Sequence, residues 1–273
     1  MKSKNKEKEP SIVVVGCLHG NELVGQKIIA ELKKLKIIKG QLKTIIANPM
    51  AIRANKRFID QDLNRSFPGN KNSKLLEEKL AVNILKKISP SDYVIDIHST
   101  TSDTKNVIII KKRDAMINKM ISIINPNKVV LMPKNYGDGS LINFCSGISI
   151  EYGKDKNKDT FTKSLNDIKR LMSNLGMIED DSPKIINKTE FYKVFGIETK
   201  PKGFKLNELI HNFRPVSKGT IIGQVGNKHI KATESFYPVL FGEKSYKDIV
   251  GFKAKKLKQK SCQDTHQDSL KSK

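Results

Sequence analysis

Ile12-Val13-Val14-Val15-Gly16-Cys17-Leu18-His19-Gly20-Asn21-Glu22 is a β-branched apolar run that stops at a glycine and is followed at once by a histidine and a glutamate. A short run that is apolar at every position predicts a central strand, with His19 and Glu22 at its carboxyl end where the next helix begins. That edge is where open α/β sheets bind ligands. Imidazole nitrogen and carboxylate oxygen both suit Zn²⁺, and a three-residue offset across a tight Gly20-Asn21 turn lets them converge on one ion. An ordinary turn histidine followed by a helix-capping glutamate gives the same pattern, so the pair alone does not define a site.

Downstream, apolar residues at helical spacing from Glu22 to about Ile37 predict an amphipathic helix ended by Gly40. Leu42 to Ala47 reads as a second strand stopped by Asn48-Pro49, Ser73 to Ile88 as a helix, and Tyr93 to Ser99 as a third strand. Alternation places Asp96 and His98 on one face of that strand, with His98 at its carboxyl end. A core histidine would also fit there. Yet His19, Glu22 and His98 together make the two-His, one-carboxylate set of a catalytic zinc site with its fourth position open, and Asp96 is a carboxylate able to orient one of the histidines.

The stretch between, Ala51 to Gly69, is irregular and polar and contains Arg57-Phe58-Ile59-Asp60-Gln61-Asp62-Leu63-Asn64-Arg65. A solvated loop with its own Asp–Arg pairs is one reading; a functional loop is the other. The chain has only six arginines, and three of them (Arg53, Arg57, Arg65) fall within thirteen residues. Where nearly all positive charge is lysine, an arginine marks a place that needs its rigid five-donor fork.

Asn106 to Ile110 and Lys128 to Met132 read as strands around a helix from Asp114 to Ile124. After the Gly137-Asp138-Gly139-Ser140 turn, Gly147 to Gly153 reads as a strand carrying Glu151 at its end, a carboxylate able to act as general base or to lie in solvent. Asp159 to Gly176 is a helix and Ile178 to Asn187 a polar linker. Beyond Lys188 the pattern changes to short strands rich in Gly and Pro: 190–195, 213–216, 220–225, 229–231 and 237–241, with Tyr246 as a further candidate. The expected architecture is α/β: a mixed central sheet flanked by helices over residues 11–177, then a small β-rich cap domain over 188–253. Polar ends at 1–10 and 254–273 are expected to be disordered.

A length of 273 residues allows one large domain or a medium and a small one. The formal net charge of +23 raises nucleic acid as a partner, but the lysines are spread along the whole chain, as a general compositional bias produces. Three isolated cysteines (Cys17, Cys145, Cys262) argue against a disulfide framework and against a CxxC knuckle. No apolar run long enough to span a bilayer and no signal-type segment after Met1 is present, so a soluble, cytoplasmic protein is expected.

Taken in order, GCLHGNE, RFIDQDLNR, DIHST, IEYG and YPVLFGEKSY resemble the aspartoacylase and succinylglutamate desuccinylase family, relatives of the zinc carboxypeptidases, from about Ile12 to about Ala254. The resemblance implies one Zn²⁺ per chain held by His19, Glu22 and His98, with Glu151 as the catalytic glutamate and Arg57 polarising the scissile carbonyl. It further implies that Asn64 and Arg65 grip a substrate α-carboxylate and that Tyr246 reaches the pocket from the C-terminal module. The function implied is zinc-dependent hydrolysis of the amide bond of a small N-acyl amino acid; assembly into a homo-oligomer is left open. A carboxypeptidase-like enzyme acting on short peptides and a lysine-rich nucleic-acid-binding protein without hydrolase activity are the alternatives.

One departure bears on substrate. About ten residues before the catalytic glutamate, aspartate-specific members resemble one another in an arginine that reads the side-chain carboxylate, whereas this chain has Ser140-Leu141-Ile142-Asn143. No arginine lies between Arg113 and Arg170, so a second carboxylate would have to meet a lysine such as Lys134, backbone N–H groups or the C-terminal module. A substrate whose side chain need not be acidic is therefore expected.

Overall fold

The computed structural model describes residues 9–100, 106–179, 188–242 and 246–258. Its elements run β1 (Ser11–Gly16), α1 (Val24–Leu32), β2 (Gln41–Ile46), α2 (Pro49–Arg53), α3 (Leu76–Leu85), β3 (Tyr93–His98), β4 (Val107–Ile110), α4 (Ala115–Ile124), β5 (Lys128–Leu131), β6 (Gly147–Glu151), α5 (Lys158–Asn174), β7 (Glu190–Thr199), β8 (Phe204–Leu206), β9 (Ile221–Val225), β10 (Lys228–Lys231), β11 (Tyr237–Val239) and β12 (Ile249–Lys256). Among the described residues, nine strands form one mixed sheet in the order β11-β12-β7-β5-β4-β6-β3-β1-β2, and β10-β9-β8 form a small antiparallel sheet. This is the mixed α/β architecture expected from the sequence. None of the described helices is long and apolar enough to cross a membrane.

The apolar runs are buried on both faces because each face has its own cover. Ile12 and Val14 of β1, with Ile95, Ile97, Ile148 and Ile150, pack under α1, α4 and α5. Val13 and Val15, with Val94, pack on the other face under Leu63, Phe67 and α3. β1, β2, β3 and β6 are mutually parallel, so their carboxyl ends share one edge, and His98 stands directly opposite Glu151 in the β3–β6 register.

The C-terminal strands differ from expectation in detail. β7 pairs parallel with β5, β12 pairs antiparallel with β7, and β11 with β12, so three of them extend the main sheet. β12 runs to Lys256, past the expected start of the tail at residue 254; over its second half, buried Phe252 and Ala254 alternate with Lys253 and Lys255, the period-two pattern of a strand with one more open face. β8 was likewise unanticipated. Conversely, 213–216 is no strand: Phe213 has φ 65°, Pro215 lacks an N–H, and only Val216 bridges to Phe236. Residues 1–8 and 259–273 of the expected tails, and 180–187 of the linker, lie outside the described residues.

Candidate active site

The turn after β1 carries the first two candidate ligands. A Cβ added to Gly20 would meet the backbone of Ala51 in α2 at 2.2 Å, so the turn can press against α2 only with glycine there. The turn closes through Glu22 N, which donates to His19 O at 3.1 Å. From β3, His98 reaches the same point. Glu22 Oε1 lies 2.7 Å from His19 Nδ1, and Glu22 Oε2 lies 3.2 Å from His98 Nδ1 while accepting from Ser99 N at 3.0 Å. All three residues are buried.

The other nitrogen of each ring meets a carboxylate. His98 Nε2 is 2.7 Å from Asp96 Oδ2, which also accepts from Ser149 Oγ at 3.0 Å. His19 Nε2 is 3.1 Å from Asp62 Oδ1, with Arg57 Nη2 at 2.7 Å on its flank. When Nε2–H of His19 donates to Asp62 and Nε2–H of His98 donates to Asp96, each Nδ1 turns a lone pair toward the Glu22 carboxylate. Three such donors lie within 4.8 Å of one another and need a proton or a cation between them, so this cluster could hold a metal ion. Burial opposes ionisation of Glu22, yet His19 and His98 hold its carboxyl well below the ordinary range. Burial likewise disfavours imidazolium, but Glu22 and Asp62 raise His19, and Asp96 and Glu22 raise His98.

Glu151, at the end of β6, lines the same cleft of about 570 Å³ as the cluster, Arg57, Asn64, Arg65 and Tyr246. Burial lifts its carboxyl to about 7, with Glu22 and Asp96 adding and His98 opposing. Tyr246 rests edge-on against Phe252 of β12 at 5.6 Å between ring centroids, and burial, with Glu151 adding, raises its phenol well above the ordinary value. The cleft thus brings together His19, Glu22, His98, Glu151, Arg57, Asn64, Arg65 and Tyr246, with Asp96 behind His98. Lys134 is exposed and does not line it.

Several residues that shape the cleft had no role assigned from the sequence, although Asp–Arg pairing within the 57–65 loop is one expectation. Asp62 receives Arg57 Nη2 at 3.0 Å and Nε at 3.3 Å, so one carboxylate orients both Arg57 and His19. Glu77 of α3 is fully buried and collects four donors: Ile59 N at 2.7 Å, Asp60 N at 3.1 Å, Gln61 N at 3.3 Å and Asn48 Nδ2 at 3.0 Å. The polar loop from 57 to 65 is therefore moulded on a buried carboxylate. Behind Arg65, Gly139 packs so tightly that a Cβ would meet Arg65 O at 2.3 Å, and Lys111 secures that turn by donating to the carbonyls of Tyr136 and Gly137. Burial, reinforced by Arg65 and opposed by Asp138, lowers the Lys111 ammonium to about 8. Asn64 Oδ1 accepts from Leu141 N at 3.0 Å, tying the same loop to the segment before β6.

Residues 8–152 match the model of the succinylglutamate desuccinylase/aspartoacylase catalytic domain. A protein of Nostoc sp. named "Probable aspartoacylase" is 28% identical over 269 residues, spanning 86% of this chain and 92% of its own length. An N-acyl-aromatic-L-amino acid amidohydrolase (carboxylate-forming) of Xenopus laevis is 34% identical over 117 residues, 38% of each chain. Among solved structures, murine aminoacylase 3 has the same fold at a TM-score of 0.77 and 19% identity, over 92% of this chain and 97% of that one.

Proposed function

The chain belongs to the succinylglutamate desuccinylase/aspartoacylase family, and from that premise, with the geometry of its cleft, we propose that it is a zinc-dependent hydrolase of the amide bond in small N-acyl amino acids. One observation carries the reading: two imidazole Nδ1 atoms converge on the Glu22 carboxylate next to Glu151, in a cleft that also holds Arg57 and Arg65. The name of the Xenopus laevis relative, an amidohydrolase of N-acyl-aromatic-L-amino acids, supports the same bond type.

His19, Glu22 and His98 would hold the zinc, which would supply Lewis acidity and lower the pKa of a water from about 15.7 to about 7. The remaining work falls to side chains. Glu151 takes the proton of the attacking water and returns it to the departing nitrogen, a role suited to a carboxyl raised to about 7. Arg57, aimed by Asp62, offers fixed positive charge to the oxyanion, an effect typically worth about 3 kcal/mol for one donor. Arg65 binds the α-carboxylate bidentately and Asn64 lies beside it, which orients the amide as well as holding it. Tyr246 closes the cleft and, with its pKa raised, stays a neutral hydrogen-bond donor.

Purified protein is expected to contain about one Zn²⁺ per chain by elemental analysis, and His98→Ala to lose metal and hydrolysis together. A panel of N-acetyl and N-succinyl amino acids, with matched esters and dipeptides, tests the bond cleaved. Protein free of metal after growth in zinc-sufficient medium, or cleavage confined to peptides, refutes the reading.

A further inference from the structure

Arg65 has a second cation beside it, one that does not line the cleft. Lys111 follows β4 directly, and the alternation of that strand assigns it to the face on which Val107 and Ile109 pack with Tyr136 and Ile142. Its ammonium donates to the carbonyl of Tyr136 and, at 3.5 Å, to that of Gly137. A Cβ added to Gly137 would stand 3.5 Å from Lys111 Nζ and 3.8 Å from Arg65 Nη1, so ammonium and guanidinium face each other across a bare stretch of backbone. The turn between them is braced from other sides as well. Asn143 Nδ2 donates to Gly137 O at 3.0 Å, Phe67 N to Gly139 O at 3.0 Å, and Tyr136 Oη to Phe195 O of β7 at 2.6 Å.

Two like charges held close together cost free energy unless an anion lies near both. Among the described residues neither cation makes an ion pair: Arg65 Nη1 donates to Asn64 O at 2.7 Å, and Lys111 donates to carbonyls alone. The charged groups that act on Lys111 are Arg65 from the 57–65 loop and Asp138 from the turn, and Asp138 offsets the repulsion without forming an ion pair. Burial, with Arg65 adding, sets the ammonium at about 8, so its charge is lost just above neutral pH.

We propose that Lys111 is a positioning residue for carboxylate recognition: it fixes the turn against which Arg65 is set and adds its field to the guanidinium, so that the grip on the substrate α-carboxylate depends on whether Lys111 is charged. The inference rests on the deacylase reading and adds a residue to it. A carboxylate bound on Arg65 relieves the repulsion between the two cations and so favours the charged form of Lys111; by linkage, charged Lys111 favours the bound carboxylate by the same factor. As pH rises through about 8 the free protein loses this charge, and the carboxylate is held less tightly. Glu151 titrates near 7 but acts on every substrate alike, so the effect is isolated by comparing substrates that differ only in charge.

The test uses the zinc-loaded full chain and pairs each N-acyl amino acid of the panel with its α-carboxamide, which has nearly the same shape and no charge. The ratio of kcat/KM, acid over carboxamide, should fall about fivefold from pH 7 to pH 9 in the wild type, the change expected when a nearby opposite charge favours the charged lysine about tenfold. Lys111→Arg, whose charge does not titrate in this range, should keep the ratio high and level. Lys111→Met should lower it about tenfold at pH 7 and leave it level thereafter. A lysine that only held the fold together would lower both substrates in step and leave the pH profile of the ratio where it was. A wild-type ratio that stays level from pH 7 to pH 9 overturns the proposal and leaves the deacylase reading standing, as does a fall that persists in Lys111→Met. Hydrolysis of no N-acyl amino acid overturns both.

Discussion

Glu151→Gln separates what the buried carboxyl costs from what it does. In metal-free protein, burial raises this group from its ordinary 4.5 to about 7. Below pH 4.5 the proton is on in both the folded and the unfolded chain, and the group costs nothing. Between 4.5 and 7 the unfolded chain gives up its proton first, so stability is lost as pH rises; above 7 the loss is complete. The full rise corresponds to about 3 kcal/mol, and because Glu151 keeps part of its surface open to the cleft, solvent screening brings this to about 1–2 kcal/mol. Glutamine keeps the shape and removes the charge. Chelator-treated Glu151→Gln should melt above wild type at pH 8 by roughly 2–8 °C, given about 2–4 °C per kcal/mol for a chain of this size, and at the same temperature at pH 4. The zinc-loaded variant should lose about a hundred- to ten-thousandfold in kcat. Coincident melting curves at pH 8 would refute the claim that burial penalises the ionised carboxyl, and an unchanged kcat would remove Glu151 as the base.

Asp62→Asn takes the carboxylate from His19 Nε2 and Arg57 together, so chelator competition should show zinc bound about ten- to a hundredfold more weakly; unaltered affinity would mean that Asp62 does not orient the ligand. Arg65→Ala should raise KM strongly and lower kcat as well, and a matched α-methyl ester should lose far less than the free acid. If ester and acid suffer equally, Arg65 does not read the α-carboxylate. Glu77→Ala strands four donors, three of them backbone N–H groups of the 59–61 segment, and should cost about 3 kcal/mol or more in denaturant unfolding. A loss below about 1 kcal/mol would show the loop to be held by other contacts.

The central strands and the three candidate ligands were legible because their signals are local. A β-branched run ending in Gly16-Cys17-Leu18-His19 fixes both a strand and the edge on which His19 falls, and period-two alternation puts Asp96 beneath His98. What escaped depends on residues far apart in the chain. Glu77 looks like any surface glutamate in the first turn of a helix, and only the fold turns it inward to gather the 59–61 amides. Asp155 sits in the lysine-rich run Lys154-Asp155-Lys156, and nothing in that run shows that it reaches α1. β12 was hidden by composition: in Ile249–Lys256 lysine occupies three of eight positions, which masks a pleated pattern with one buried face.

Tyr246 and Leu240 reach the cleft from chain flanking β11 and β12, and those strands are tied into the main sheet from Ile249 opposite Thr199 to Lys256 opposite Tyr192, then through β7 to β5. Among the described residues, the wall that faces Glu151 is thus built on the same ladder as the floor. Parting them would break consecutive backbone hydrogen bonds. On the deacylase reading, substrate entry and product departure would rely on side-chain rotation and short-loop motion, which run in picoseconds to microseconds, because swinging the C-terminal strands away would break this ladder. Turnover that is limited by release would respond to the bulk of residues at the mouth, such as Asn21 and Thr100, while staying insensitive to changes that stiffen the C-terminal strands.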